Sequence, residues 1–157
     1  MAAGDEFRRL LRNIPAPVAV VTVDVQGERL GLTVASFVWL SLEPPLVGVA
    51  VSRHAAMHEL LRGADSFAVN LLGSGQERLA QHFARGVPPI GLWEGIGTRP
   101  GALGAPLLEE AFGWLECRSS AEHPTGDHTF FVGDVAAAEL GEPTEPLLYV
   151  RQGYTSL

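Results

Sequence analysis

Three segments carry side chains whose types and spacing suit chemistry. Gly126-Asp127-His128 stands directly before an apolar run that contains Gly133. A histidine behind a glycine–aspartate turn is fixed by its backbone, and imidazole is the side chain that changes charge near neutral pH. The same segment also suits a turn followed by an edge histidine without a ligand. Gly31-Leu32-Thr33-Val34-Ala35-Ser36-Phe37 puts small and hydroxyl residues at a strand end, where side-chain and backbone donors could meet a phosphate or a carbonyl. An ordinary strand with outward Thr33 and Ser36 fits it equally. Phe83-Ala84-Arg85, followed by Gly86, places an arginine at a helix end. There it either complements the negative end of the helix or reaches an anion.

Other candidates are weaker. His54 and His58 lie four apart on a predicted helix, the spacing of two metal ligands on one face. Ala-Ala-Met between them offers no glutamate base, so they read as part of a surface helix without metal. Gly73-Ser74-Gly75 lacks the glycine spacing of a nucleophile elbow, and its serine reads as a helix cap. Glycines 91, 95 and 97 neither follow a strand nor open a helix, so no dinucleotide fingerprint is present. Cys117, on an apolar strand, reads as a small core residue. Trp93 sits in a long loop and suits either a lid or a subunit contact.

These segments need elements to position them. Asp5 to Asn13 has helical spacing of Phe7, Leu10 and Leu11, stopped by Pro15 and Pro17. Val18 to Val25 and Arg29 to Ser36 form a hairpin about Gln26-Gly27. Phe37 to Leu42, Leu46 to Ser52, Ser66 to Leu72, Ala111 to Ser119, Thr129 to Leu140 and Leu147 to Arg151 read as further strands. Ala55 to Arg62 and Ser74 to Arg85 read as short helices, the second opened by Ser74 and Glu77 at capping-box spacing. Gly86 to Gly104 reads as a loop. Seven or eight strands without regular helix alternation imply a mostly β, antiparallel barrel with short helices, in one domain over residues 1–157.

Composition narrows the chemistry. All eleven basic residues are arginine, and the absence of lysine removes Schiff-base chemistry and Walker-type phosphate loops. A net charge of −7 with no basic stripe argues against nucleic acid. One cysteine forms no internal disulfide, and no apolar run approaches the ~20 residues of a membrane helix. With no apolar signal core at its start, the chain reads as cytoplasmic.

Taken in order, the segments resemble the flavin reductase family, the FMN-binding split-barrel proteins that serve as reductase components of two-component monooxygenases. The landmarks are Gly31 to Phe37, Ser41-Leu42-Glu43-Pro44-Pro45-Leu46-Val47, Phe67-Ala68-Val69-Asn70-Leu71-Leu72, Gln76 with Leu79-Ala80 and Phe83-Ala84, Gly126-Asp127-His128 with Gly133-Asp134-Val135, and Pro146-Leu147-Leu148-Tyr149 with Gly153-Tyr154. They run from about Asn13 to the C-terminus.

The resemblance implies a homodimeric split barrel of antiparallel Greek-key type that binds FMN or FAD and takes hydride from NADH or NADPH. Thr33, Val34, Ala35 and Ser36 match positions that hold the flavin. Ser52-Arg53-His54 and Phe83-Ala84-Arg85 match positions near its ribityl and phosphate groups. His128 matches the histidine near nicotinamide and flavin, the one catalytic assignment, and Tyr154 would line the same cleft. Where many members carry serine and threonine, this chain has Ala55, Ala56 and Met57. That departure shifts phosphate binding towards Ser52, Arg53, Arg85 or the amides at the helix start. The implied activity is NAD(P)H:flavin oxidoreduction for a separate monooxygenase. A tightly FMN-binding electron carrier without nicotinamide activity is the alternative, and a split barrel for another planar ligand the third reading.

Overall fold

The structure, a computed structural model, describes residues 2–157; Met1, first residue of the expected domain, lies outside the described residues. In chain order the elements are α1 (Ala2–Arg12), β1 (Ala16–Pro17), β2 (Ala19–Val25), β3 (Glu28–Val34), β4 (Val38–Leu42), β5 (Pro45–Ser52), α2 (Ala56–Arg62), β6 (Ser66–Leu71), α3 (Glu77–His82), β7 (Thr98–Pro100), β8 (Pro106–Leu108), β9 (Gly113–Thr125), β10 (His128–Leu140), β11 (Leu147–Val150) and β12 (Gly153–Ser156).

Seven strands form one sheet in the order β3-β2-β6-β9-β10-β5-β4, every neighbour antiparallel. Its two edge strands, β3 and β4, are consecutive in the chain and joined only by Ala35, Ser36 and Phe37. So short a link requires the sheet to roll until its edges meet, since each residue spans at most ~3.6 Å. No ladder joins β3 to β4, so the barrel expected from the sequence is left open along one seam.

Strand alternation divides the interior. On β2, Ala19, Val21 and Val23 point into the rolled sheet with Phe67 and Val69 of β6. Val20, with Ala68 and Leu72, points outward into a second core under α3 and residues 92–111, completed by Phe83, Trp114 and Leu147. Both faces of the strand are therefore dry from Ala19 to Val23, where Thr22 is the one polar side chain. A buried polar set fastens the outer layer. Thr22 Oγ1 donates to the Pro106 carbonyl at 2.6 Å, and the Leu108 amide donates to Asn70 Oδ1 at 2.8 Å.

Several expectations are corrected. Ser74 does not cap α3; its hydroxyl meets Ser156 Oγ, while Gln76 Oε1 accepts the Gly73 amide and Gln76 precedes the helix. The long loop contains β7, whose three residues pair with β8. The short strands β1 and β12 lie outside the expected set, and both flank β11 in a separate three-stranded sheet.

Candidate functional site at the sheet seam

The seam where β3 turns into β4 opens into a cleft of about 750 Å³, within the ~300–1,000 Å³ range of small-ligand sites. Thr33, Val34, Ala35, Ser36, Ser52, Ala84 and His128 all line it. The opposite wall is made by the end of α1 and the β11–β12 turn, through Arg12, Ile14, Tyr149, Val150, Arg151 and Gln152. Sequence reasoning missed that wall. Its nearest signals are the Pro146-Leu147-Leu148-Tyr149 landmark, which ends on the wall itself, and Gly153-Tyr154 just beyond the turn.

Local hydrogen bonding explains how the first wall is set. The Thr33 amide donates to the Phe83 carbonyl at 2.8 Å, and its hydroxyl donates to the Ala80 carbonyl at 2.6 Å. Thr33 thus satisfies two carbonyls at the end of α3 that helical geometry leaves open. Ser36 lies opposite Ala50 of β5, where its hydroxyl donates to the Ala50 carbonyl at 2.7 Å and accepts the Ala50 amide at 3.0 Å. Both hydroxyl protons are therefore engaged inside the protein. Among the described residues, the Ala35 and Ser36 amides make no protein hydrogen bond. They are the wall's free donors.

His128 opens β10 opposite Ser52 of β5. Its Nδ1 lies 2.7 Å from Asp127 Oδ1, and this hydrogen bond is the main reason the Asp127 carboxyl is held below the usual range. With Nδ1 donating to the carboxylate, Nε2 is the ring nitrogen left for a ligand. Directly behind, Thr129 Oγ1 lies 2.6 Å from His58 Nε2. His58 is 5% exposed, which corrects the surface reading of the His54–His58 pair. Its Nδ1 is buried without a hydrogen-bond partner.

The remaining predicted residues fall outside the cleft lining. Phe83 is 1% exposed, under Trp93 and against Gly31. Arg53 is exposed beside the 126–127 turn, its Nη1 3.4 Å from the Gly126 carbonyl. His54 and Arg85 are exposed. Tyr154 lines a smaller adjoining cavity of about 180 Å³ with Thr33, Ala84 and Tyr149. Its hydroxyl pKa is raised, mainly by burial. At the start of α2 the Ala55 amide donates to Ser52 and the Ala56 amide to Gly86, so these two are not free for an anion. Trp93, open between two roles in the sequence, is pinned to β3. Its Nε1 donates to the Arg29 carbonyl at 3.0 Å, and the Arg29 guanidinium stacks on its ring.

The family described as flavin reductase like domain matches residues 11–157. The chain belongs to the flavin reductase-like family. It is 40% identical over 153 residues to the reductase component of 4-hydroxyphenylacetate 3-monooxygenase from Thermus thermophilus, covering 98% of this chain and 96% of that one. It is 38% identical over 148 residues to an NADH-dependent FAD reductase from Streptomyces globisporus, covering 92% and 80%. The structure of the Streptomyces globisporus NADH:FAD oxidoreductase SgcE6 with NAD and FAD fragments matches with a TM-score of 0.90 at 35% identity, covering 97% and 91%. This flavin reductase-like chain has, among its described residues, no helix long and apolar enough to cross a membrane.

Proposed function

We propose that the protein is an NAD(P)H:flavin oxidoreductase that supplies reduced FMN or FAD to a separate monooxygenase. The observation that carries this reading is the convergence of Thr33 to Ser36, Ser52 and His128 on one cleft, from four distant stretches of chain with Ala84. The residues fit a flavin. Leu11, Ile14, Ala50 and Ala55 offer accessible apolar surface to a planar ring, and the Ala35 and Ser36 amides supply donors at its edge. The bound flavin supplies the hydride acceptor, and the nicotinamide supplies the hydride.

The protein's part is orientation, which accounts for a large share of rate enhancement when two bound rings must meet. Ser36 anchors the seam against β5. Thr33 fixes α3, and with it Ala84, against β3. His128, held by Asp127 through Nδ1, presents Nε2 to the nicotinamide or its amide. Cys117, 0% exposed in the core, takes no part.

Three wider readings follow from the same proposal. Residues 1–157 act as one domain. The protein is a homodimer, because β4 presents Trp39, 65% exposed, on an open sheet edge, and α1 separately leaves Phe7, Leu10 and Leu11 exposed; light scattering after gel filtration tests this, with Trp39→Glu expected to give monomers. It works in the cytoplasm, where reduced nicotinamide is pooled; cell fractionation tests that.

The activity is tested by oxidation of NADH and NADPH with FMN, FAD and riboflavin compared side by side. Flavin-dependent oxidation is expected. Its absence, in a protein that stays yellow through dialysis, would establish the electron-carrier alternative instead.

A further inference from the structure

The cleft has one cationic wall. Among the described residues, Arg12 and Arg151 are the only arginines that line it, and no carboxylate does. In a chain of net charge −7, that local balance marks a place built for an anion. Among the described residues neither guanidinium forms an ion pair.

Arg151 is also held in a conformation that its residue type does not favour. It and Gln152 are the central residues of the β11–β12 hairpin, between paired Val150 and Gly153. Both lie in the left-handed region, with φ of 52° and 62°. Such turns usually take Asn-Gly, and side chains forced into this conformation cluster at ligand sites. The turn is tied down from the α1 side. The Arg151 amide donates to the Arg12 carbonyl at 2.6 Å, and Arg151 Nε donates to Asn13 Oδ1 at 3.0 Å. Asn13 is itself anchored, its Nδ2 donating to the Arg9 carbonyl at 2.9 Å. With Nε occupied, the guanidinium keeps its two terminal nitrogens for a ligand, in the planar geometry that matches phosphate.

We propose that Arg12 and Arg151 form a phosphate clamp for a nucleotide ligand in the cleft, taking the cationic role that the sequence suggested for Arg53 and Arg85. The proposal rests on the reading of the cleft as a flavin and nicotinamide site. The phosphate belongs either to the flavin or to the nicotinamide dinucleotide, and the two have the same chemistry.

The test uses Arg12→Gln and Arg151→Asn, singly and combined, since asparagine tolerates the left-handed turn. Arg151→Lys keeps the charge without the fork. Thermal unfolding confirms that each variant is folded. Binding of FMN, FAD and riboflavin is followed by tryptophan quenching. Binding of NADH and of reduced nicotinamide riboside is followed by nicotinamide fluorescence. Loss of about 10- to 100-fold for the phosphorylated member of a pair, with the phosphate-free member unchanged, supports the clamp and says which ligand it holds. Arg151→Lys is expected to fall between wild type and Arg151→Asn. Calorimetric titration with inorganic pyrophosphate isolates the clamp from the cofactor reading. Binding to wild type but not to the double variant supports the clamp even if flavins fail to bind. Equal affinity of wild type and double variant for every phosphate overturns it.

Discussion

The Ser36 hydroxyl takes both main-chain groups of Ala50, donating to its carbonyl at 2.7 Å and accepting from its amide at 3.0 Å. A side chain thus stands where the β4–β5 ladder would place a backbone rung, since Val38 pairs with Gly48 two residues along. The Ser36 backbone is released towards the cleft as a result. Ser36→Ala leaves two half-buried groups unpaired, at a cost of about 1–3 kcal/mol. Urea denaturation is expected to show that loss together with weaker flavin binding. Unchanged stability would count against the rung.

His128→Ala is expected to lower kcat/KM for the nicotinamide roughly 10- to 100-fold. Asp127→Asn should cost less, because the ring remains and only its tether weakens. Steady-state kinetics with wild-type values for His128→Ala would remove the histidine from the site.

The same pair predicts a pH dependence. Asp127 is held below the usual carboxylate range chiefly by its hydrogen bond to His128. The tether therefore contributes fully above the ordinary carboxyl value of ~3.9 and is lost as pH falls through the lower folded value. Carbon-detected titration should show Asp127 titrating below the ordinary value in wild type, and moving up in His128→Ala.

Gly133 leaves no room for a side chain. A β-carbon there would lie 2.6 Å from Phe67 Cζ and 2.7 Å from Cys117 Cβ. Gly133→Ala is expected to destabilise by about 1–3 kcal/mol through overpacking, read as a lower denaturation midpoint.

Burial, with smaller contributions from Asp134 and Glu116, pushes the Cys117 thiol up to about 12 from 9.0. Iodoacetamide should leave the native thiol unlabelled at pH 8. Above pH ~9 the unfolded chain releases this proton and the folded chain keeps it, so stability falls as pH rises towards the folded value. Urea midpoints at pH 8 and pH 10 should therefore converge in Cys117→Ala.

What the sequence made legible was local. The hairpin about Gln26-Gly27 is readable because a β-branched run returns across a short turn, and the two residues form the tip between paired Val25 and Glu28. His128 was readable because its aspartate is its neighbour. What escaped depends on partners far along the chain. Ser74 has capping spacing to Glu77, yet its hydroxyl meets Ser156 and Gln76 takes the Gly73 amide. His58 has the spacing of a surface histidine, yet Thr129 receives it in the interior. Arg12 and Arg151 carry no motif, and only the packing of the β11–β12 hairpin against the end of α1 brings them together.

The cleft is assembled from Thr33, Ser52, Ala84, His128 and Gln152, so no contiguous fragment holds a complete site. Ligand binding therefore reads out the finished tertiary structure, and a ligand at 100 times its Kd adds about 2.7 kcal/mol to global stability. Depletion of flavin would leave the enzyme population closer to its unfolding threshold, making cofactor supply a determinant of how long the protein survives proteolysis.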